Sequence, residues 1–231
     1  MISSSERIGE ILESIPANSI IEASKLYRMY FEDIKETAFY KSLERLCQKD
    51  SLVHLTKGLY YKPKVSRIGV VPIKEKDIVA HYIEELGGVV VGYKLYNKKG
   101  LTTQVGKQTE ILSNRLNGQK KTIQNVVVRS IPCDLTVERV AIIETLEILQ
   151  NYYKIEDINN AALANYMKNF AKKYSDKDAV YIIENMKYKK STIAFLEAFL
   201  NHLQICNSLG MYLSSLSVYA NPTMEEIYAT S

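Results

Sequence analysis

Long apolar runs are absent from this chain of 231 residues. No run reaches the 18 or so apolar residues that a membrane-spanning helix needs, and the longest, such as the apolar run at 87–92, are far shorter. The first residues carry neither a basic leader nor a continuous apolar segment, so we expect no secretory signal. These absences favour a protein without membrane contact.

Cysteine is scarce and tryptophan is missing altogether. The three cysteines, Cys47, Cys133 and Cys206, form an odd and widely spaced set. Such a set cannot build the disulfide framework of a small secreted protein. We therefore expect buried, reduced thiols and a cytoplasmic location.

Signals for catalysis are also absent. The three histidines lie on separate predicted elements, and the sequence has neither a phosphate-binding glycine loop nor a dinucleotide fingerprint. Asp176 and Asp178 have a spacing that can hold magnesium, but Ser175 beside them indicates a helix start, where these residues cap free N–H groups. We expect no enzyme, no metal site and no cofactor.

Positive charge is concentrated in two blocks, although the net charge is only +4. Residues 35–67 carry eight basic and three acidic side chains, and residues 94–129 carry eight basic side chains and one acidic. The segments 1–34, 69–93 and 130–231 are each net acidic. Clustered positive charge is typical of a protein with a polyanionic partner, while a solvated face is the alternative explanation.

The first 68 residues predict a helix, a short strand, two further helices and a hairpin, which is the order of a winged helix-turn-helix. In the third helix Phe39, Leu43 and Leu46 form one apolar stripe. The hairpin follows directly; Gly58 suits the left-handed position of a three-residue loop, and Pro63 ends the pairing. We expect Val53, Leu55 and Tyr60 to pack on the helices.

The remaining pattern predicts an α+β, multidomain protein. Residues 69–133 combine an amphipathic helix with apolar strands and form a small mixed α/β domain, and residues 134–231 are helical. The three predicted domains are thus 1–68, 69–133 and 134–231. The last residues, 220–231, are expected to be a loosely held end.

The winged unit supplies a candidate DNA-binding surface. Its third helix presents polar groups opposite the apolar stripe, and its hairpin carries lysines at the tip and the exit, as duplex recognition requires. The predicted DNA-binding residues are Thr37, Tyr40, Lys41, Glu44, Arg45, Lys57, Lys62, Lys64 and Arg67. The carboxylate of Glu44 weakens this hypothesis slightly, because phosphate repels it. The alternative is a winged fold that docks a partner protein.

Three stretches resemble the AbiEi family of abortive-infection antitoxin regulators. They are RIGEILESIPANSII, the run LERLCQKDSLVHLTKGLYYKPKVSRIGVVP, and GYKLYNKKGLTTQV at 92–105. The resemblance covers residues 5–130 well and the rest loosely. It implies a cytoplasmic repressor of its own operon, acting as the antitoxin to a nucleotidyltransferase-like toxin, with operator contacts from Lys41, Arg45, Lys57 and Lys62 and antitoxin activity in the later domains. A homodimer on operator DNA is expected, because helix-turn-helix modules usually read paired half-sites.

The second basic block leaves several alternatives open. It could extend the DNA footprint or meet an acidic partner such as RNA or the toxin. Its residues are Lys94, Lys98, Lys99, Lys107, Arg115, Lys120 and Lys121. The plainer interpretation of segment 92–105 is structural, with Gly100 ending a helix that begins near Tyr93. A nucleic-acid enzyme with its site in this segment is the third hypothesis, although the segment has no acidic or histidine cluster.

Overall fold

The computed structural model describes residues 4–228 and is an α+β structure. It divides into two compact units. The first comprises the residues up to His81 together with Thr122–Val126, and the second comprises Tyr82–Lys121 and the residues from Val127 onward. No helix among residues 4–228 is long and apolar enough to span a bilayer.

The first unit has the predicted order of elements. It begins with α1 (Ser4–Ser14), β1 (Ile20–Glu22), α2 (Ala23–Tyr30), α3 (Glu36–Gln48), β2 (Val53–Thr56) and β3 (Leu59–Tyr61). Two strands that the sequence pattern did not predict follow, β4 (Lys64–Ser66) and β5 (Gly69–Val71). The expected amphipathic helix comes next, as α4 (Glu75–Ile83). The strand order of the first sheet is β1-β3-β2, with antiparallel pairing throughout.

The core of the first unit lies beneath α3. Phe39 and Leu43 are fully buried, as the apolar stripe predicts, and they join α1 residues such as Ile8 in one cluster. Phe39 contacts two aromatic rings of the preceding segment, with centroids 5.2 Å from Tyr27 and 5.4 Å from Phe31. Because the stripe follows the helical period of 3.6, the opposite face of α3 is left in solvent.

The β2–β3 hairpin differs in detail from the prediction. Thr56 pairs with Leu59, so the loop has two residues instead of three, and an irregularity in the register between His54 and Thr56 takes up the extra residue. Gly58 has a φ of +75°, which confirms the left-handed position. Tyr60 is buried in the helical core as expected, whereas Val53 and Leu55 are only half-buried.

The chain then forms a second hairpin where an exit segment was expected. β4 pairs with β5 from Lys64↔Val71 to Ser66↔Gly69, so the predicted boundary at 68/69 falls in its turn. The Ser66 hydroxyl closes this turn, because it donates to the Gly69 carbonyl at 3.0 Å and accepts from the Ile68 N–H at 3.2 Å. The pattern was missed because both strands are only three residues long.

The second unit combines a sheet with helices. The four-stranded sheet, most of which belongs to this unit, contains β6 (Gly88–Val91), β7 (Thr109–Ser113), β8 (Lys120–Ile123) and β9 (Val126–Ser130), in the order β6-β7-β9-β8. Its helices are α5 (Tyr93–Lys98), α6 (Val137–Gln150), α7 (Asn160–Ala171), α8 (Asp176–Asn185), α9 (Lys190–His202) and α10 (Met224–Tyr228). One core cluster runs from Val89 to Ile227, and the predicted boundary at 133/134 lies inside it.

Two local predictions for the second unit are confirmed. The Ser175 hydroxyl accepts from the Asp178 N–H at the start of α8, as expected for a cap. Gly100 follows the last turn of α5 with a φ of +71°, so it ends the helix that begins at Tyr93.

Predictions for two other regions are wrong. Cys206 is exposed and Cys47 half-buried, and only Cys133 is buried as expected. The end of the chain is held through α10, because Ile227 is fully buried in the core of the second unit. A five-residue helix with one fully buried side chain was too short a pattern to detect; residues 229–231 lie outside the described range.

We predict that Ile227→Ala lowers the free energy of unfolding by about 2–4 kcal/mol, because it removes a buried aliphatic side chain and leaves a cavity. Leu216→Ala is the matched control, since this leucine is 95% exposed and its truncation should change stability little. Urea denaturation of both variants checks the expectation. Equal stability of the two variants would contradict the docking of α10.

Candidate nucleic-acid interface

The outward face of α3 carries a compact set of polar side chains. Thr37, Lys41, Glu44 and Arg45 are all exposed, and they recur at the spacing of one helical face. Gln48 continues this face at the end of the helix. Two cations and one carboxylate therefore alternate with neutral hydrogen-bonding groups along about three turns of helix.

Tyr40 belongs to the edge of the core rather than to the open face. Its ring is half-buried and meets Phe39 edge-on, with centroids 5.4 Å apart and planes at 77°. Only the exposed edge of the Tyr40 ring is therefore available for the predicted contact with DNA. The sequence pattern could not separate it from Lys41, because both positions lie off the apolar stripe.

Lys57 lies exposed in the turn between β2 and β3. The turn is anchored at the adjoining helix, since the Ala23 N–H at the start of α2 donates to the Gly58 carbonyl at 3.0 Å. Only four residues, 49–52, separate the end of α3 from the start of β2. The cationic turn is thus held by a short connection to α3 and by a backbone bond to α2.

Lys62 is placed differently from its prediction. Its ammonium donates to the backbone carbonyls of Leu12, Glu13 and Ile15 at 2.7, 3.2 and 2.7 Å. These are carbonyls of the last turn of α1 and just beyond it, which lack partners within the helix and favour a cation. Lys62 is therefore used as a cap inside the fold, and its charge is not presented to phosphate.

Lys64 and Arg67 are exposed, but they lie on the second hairpin and not on a linker. Two apolar side chains accompany them: Val65 is 68% exposed and Ile68 fully exposed. Neither apolar residue was among the predicted surface residues. In the sequence, only the short run VSRIGVV with its turn glycine indicated a hairpin here.

The second basic set is not a single free cationic surface. The Lys99 ammonium lies 2.6 Å from a Glu144 carboxylate oxygen, and Arg115 lies 3.3 Å from Glu85. Of the others, Lys94 and Lys98 are exposed on α5, Lys107 is exposed in the following loop, and Lys120 and the half-buried Lys121 lie on β8. At least two of the seven predicted cations are thus held in ion pairs.

The segment 92–105 is organised by hydrogen bonds within the second unit. The Asn97 amide donates to the carbonyls of Thr102 and Gln104 at 2.7 and 2.9 Å, and the Thr102 hydroxyl donates to the Glu156 carbonyl at 2.7 Å. Leu101 is fully buried. These contacts give the segment a structural role as a clasp on the loop that follows α6.

The carboxylates at the start of α8 are also used structurally. The Asp178 carboxylate bonds to Ser175 at 2.7 Å and to Arg139 at 2.9 Å, and both bonds lower its pKa. The Asp176 carboxylate accepts from the hydroxyl and N–H of Ser208 at 2.7 and 3.0 Å. Within residues 4–228 no group of three or more His, Cys, Asp or Glu side chains forms a metal site.

Comparison with known proteins gives one family match. The model of a family of unknown function, DUF6088, matches residues 7–150. The chain belongs to DUF6088. No curated protein matches it in sequence.

The DUF6088 match includes the whole outward face of α3 and segment 92–105, and it ends at the last residue of α6. A solved structure, the RV2827C protein from Mycobacterium tuberculosis, is similar to this DUF6088 member with a TM-score of 0.44 and 12% identity. That similarity covers 86% of this chain and 76% of the other.

We predict that Lys62→Ala lowers the free energy of unfolding by about 1.5–3 kcal/mol, because three carbonyls lose a charged donor. Lys64→Ala removes the same charge from an exposed strand position two residues away and is the matched control. Thermal and urea unfolding of both variants measure the difference. If the two substitutions cost the same, Lys62 does not act as a cap.

Proposed function

We propose that this DUF6088 protein binds duplex DNA through a winged helix-turn-helix made of α1–α3 and β1–β3. The single observation that carries the proposal is the exposed face of α3, which is polar and basic while its opposite face is fully packed. The β1-β3-β2 sheet supports it, because this order puts a cationic turn at the end of a hairpin that starts close to α3. The major groove of DNA admits one helix of this kind.

In this proposal α3 enters the major groove. Arg45 suits a guanine edge and Lys41 a guanine or a phosphate, while Lys57, Lys64 and Arg67 supply phosphate contacts. Glu44 is compatible with the groove if it accepts from a cytosine amino group. Lys62 is omitted from the proposed contacts because of its bonds to α1.

The proposed biological role is that of a repressor and antitoxin of its own operon. It rests on the similarity of three stretches, above all residues 92–105, to the AbiEi antitoxin family. In this role the partners are operator DNA and a nucleotidyltransferase-like toxin or its target, and the protein acts in the cytoplasm without catalysing a reaction. The second unit would then carry the antitoxin activity.

We predict that the double substitution Lys41→Ala, Arg45→Ala weakens binding to the duplex upstream of the gene by about tenfold or more, because it removes a base contact and a cation. Fluorescence anisotropy at two salt concentrations measures the effect, since phosphate contacts make affinity fall steeply with salt. Unrelated duplex of equal length measures sequence preference.

Lys172→Ala, Lys173→Ala is the control for lost charge, because both lysines are exposed on or beside α7 in the second unit. Its binding should match the unchanged protein. Binding that ignores salt, or that shows no preference for the upstream duplex, would exclude the repressor. If the Lys41→Ala, Arg45→Ala variant loses the same affinity for every duplex, both residues contact phosphates only.

The second hairpin offers a candidate protein contact in addition to the proposed DNA surface. A two-stranded hairpin is marginally stable alone, and this one leaves Val65 and Ile68 in solvent. A partner that covers them would stabilise the hairpin. We propose that this partner is a second copy of the chain, since paired half-sites require a dimer.

We predict that Ile68→Asp shifts the protein from dimer to monomer, because a carboxylate would be buried in the contact without a partner. Sedimentation velocity measures this shift, and Leu216→Asp is the control because Leu216 is equally apolar and 95% exposed. If both variants remain dimers, the hairpin is not part of the dimer contact.

A further inference from the structure

The second unit contains a cavity that the proposed DNA contacts do not use. Its volume is about 360 Å³, within the range of about 300–1,000 Å³ that is common for small-molecule sites. The wall is formed by α5 and the ends of β7, β9 and α6. Most of its lining is polar or aromatic, in contrast to the apolar core beside it.

The deep side of this cavity holds a buried carboxyl group. Glu147 is only 8% exposed and is the one buried charged side chain among residues 4–228. The Tyr188 hydroxyl lies beside the carboxyl group and interacts with it as a hydrogen-bond donor. Burial raises the pKa of Glu147, whereas Arg129 and the nearby Tyr188 hydroxyl oppose the rise.

A buried carboxylate is costly unless it accepts hydrogen bonds, and its two oxygens can accept about four. The Tyr188 hydroxyl donates only one, so the carboxylate has acceptor capacity left for a ligand that supplies N–H groups. Glu147 lines the cavity together with Gln150, one turn further along α6. Two hydrogen-bonding side chains of one helix therefore face the same space.

An aromatic wall stands beside the carboxyl. Tyr93 and Tyr96 of α5 both line the cavity, with ring centroids 5.6 Å apart. The Tyr93 ring is held in place, because its hydroxyl donates to the Lys154 carbonyl at 3.3 Å and its Cβ packs close to Gly106. A fixed tyrosine ring is a platform on which a nucleobase stacks.

The open side of the cavity carries two cations, Arg129 and Lys154, and one carboxylate, Glu110. The Arg129 side chain is 44% exposed and gives one bond to Glu110 at 2.9 Å, which leaves further N–H donors of its guanidinium available. Lys154, also in the lining, is exposed. Arginine and lysine at a rim suit a phosphate group.

The cavity thus offers an acceptor for N–H groups at its deep side, a ring at its wall and cations at its rim. We propose that it binds a guanine mononucleotide, with the base on Tyr93, its N–H edge at Glu147 and its phosphate at Arg129 and Lys154. Guanine is favoured because its N1–H and N2 amino group lie side by side and match two carboxylate oxygens. Adenine presents an acceptor beside its single amino group, and a carboxylate repels that acceptor.

Calorimetric titration of the full chain with GMP, IMP, AMP and spermidine tests the proposal without altering the protein. We expect GMP to bind, IMP to bind about tenfold more weakly because it lacks the 2-amino group, and AMP to bind more weakly still. Equal binding of GMP and AMP, or tighter binding of spermidine, would overturn the proposal. Absence of GMP binding at millimolar concentration would do so as well.

Two variants assign the roles of the side chains. Glu147→Gln should lose about tenfold or more in GMP affinity, whereas Glu138→Gln, an exposed position of the same helix, should lose nothing. Arg129→Ala should weaken GMP but not guanosine, because only GMP carries the phosphate. Unchanged GMP affinity in a folded Glu147→Gln variant would refute the assigned contact, and circular dichroism reports folding in each case.

Discussion

The seating of α3 on its aromatic neighbours is the contact on which the proposed DNA interface depends. Phe39 is fully buried and touches Tyr27 and Phe31 at 5.2 and 5.4 Å, so the helix cannot rotate without breaking both contacts. Aromatic pairs of this kind contribute about 0.5–1.5 kcal/mol each beyond simple burial. The rotation of α3 about its axis is thereby set, and with it the direction of Lys41 and Arg45.

Charge has two different uses in this chain. On α3 and the second hairpin, cations are exposed and available to a polyanion. At Lys62 and Lys99 they hold the fold together, through carbonyls at the end of α1 and through Glu144. A cation bound to backbone carbonyls or to a nearby carboxylate gains more there than in water, because these partners are already desolvated. A count of basic residues therefore overstates the surface that is free for nucleic acid.

In the second unit, too, some side chains hold the fold together while others are available to bind a ligand. Segment 92–105 is braced internally by Asn97 and bonds to the loop after α6 through Thr102, while helix α5 turns Tyr93 and Tyr96 toward the cavity. Glu147 lies at the inner side of that cavity, on a helix that is otherwise almost wholly apolar on its buried face. The Tyr188 hydroxyl supplies one hydrogen bond to this carboxyl group, which can accept several more. That remaining acceptor capacity is the physical reason for expecting a ligand there.

Local pattern was sufficient for much of the first unit. The stripe Phe39, Leu43, Leu46 and the turn glycine Gly58 predicted α3 and the first hairpin, since both depend on residues close in sequence. The second hairpin was missed because strands of three residues carry too little periodicity. The helices of the second unit were predicted by the same local rule. By itself, then, the sequence determined the helices, the first hairpin and the basic face of α3. Only the tertiary structure decided that Lys62 caps α1, that Lys99 is paired and that Glu147 faces a cavity, because the partners of these charges are set by packing and not by neighbouring residues.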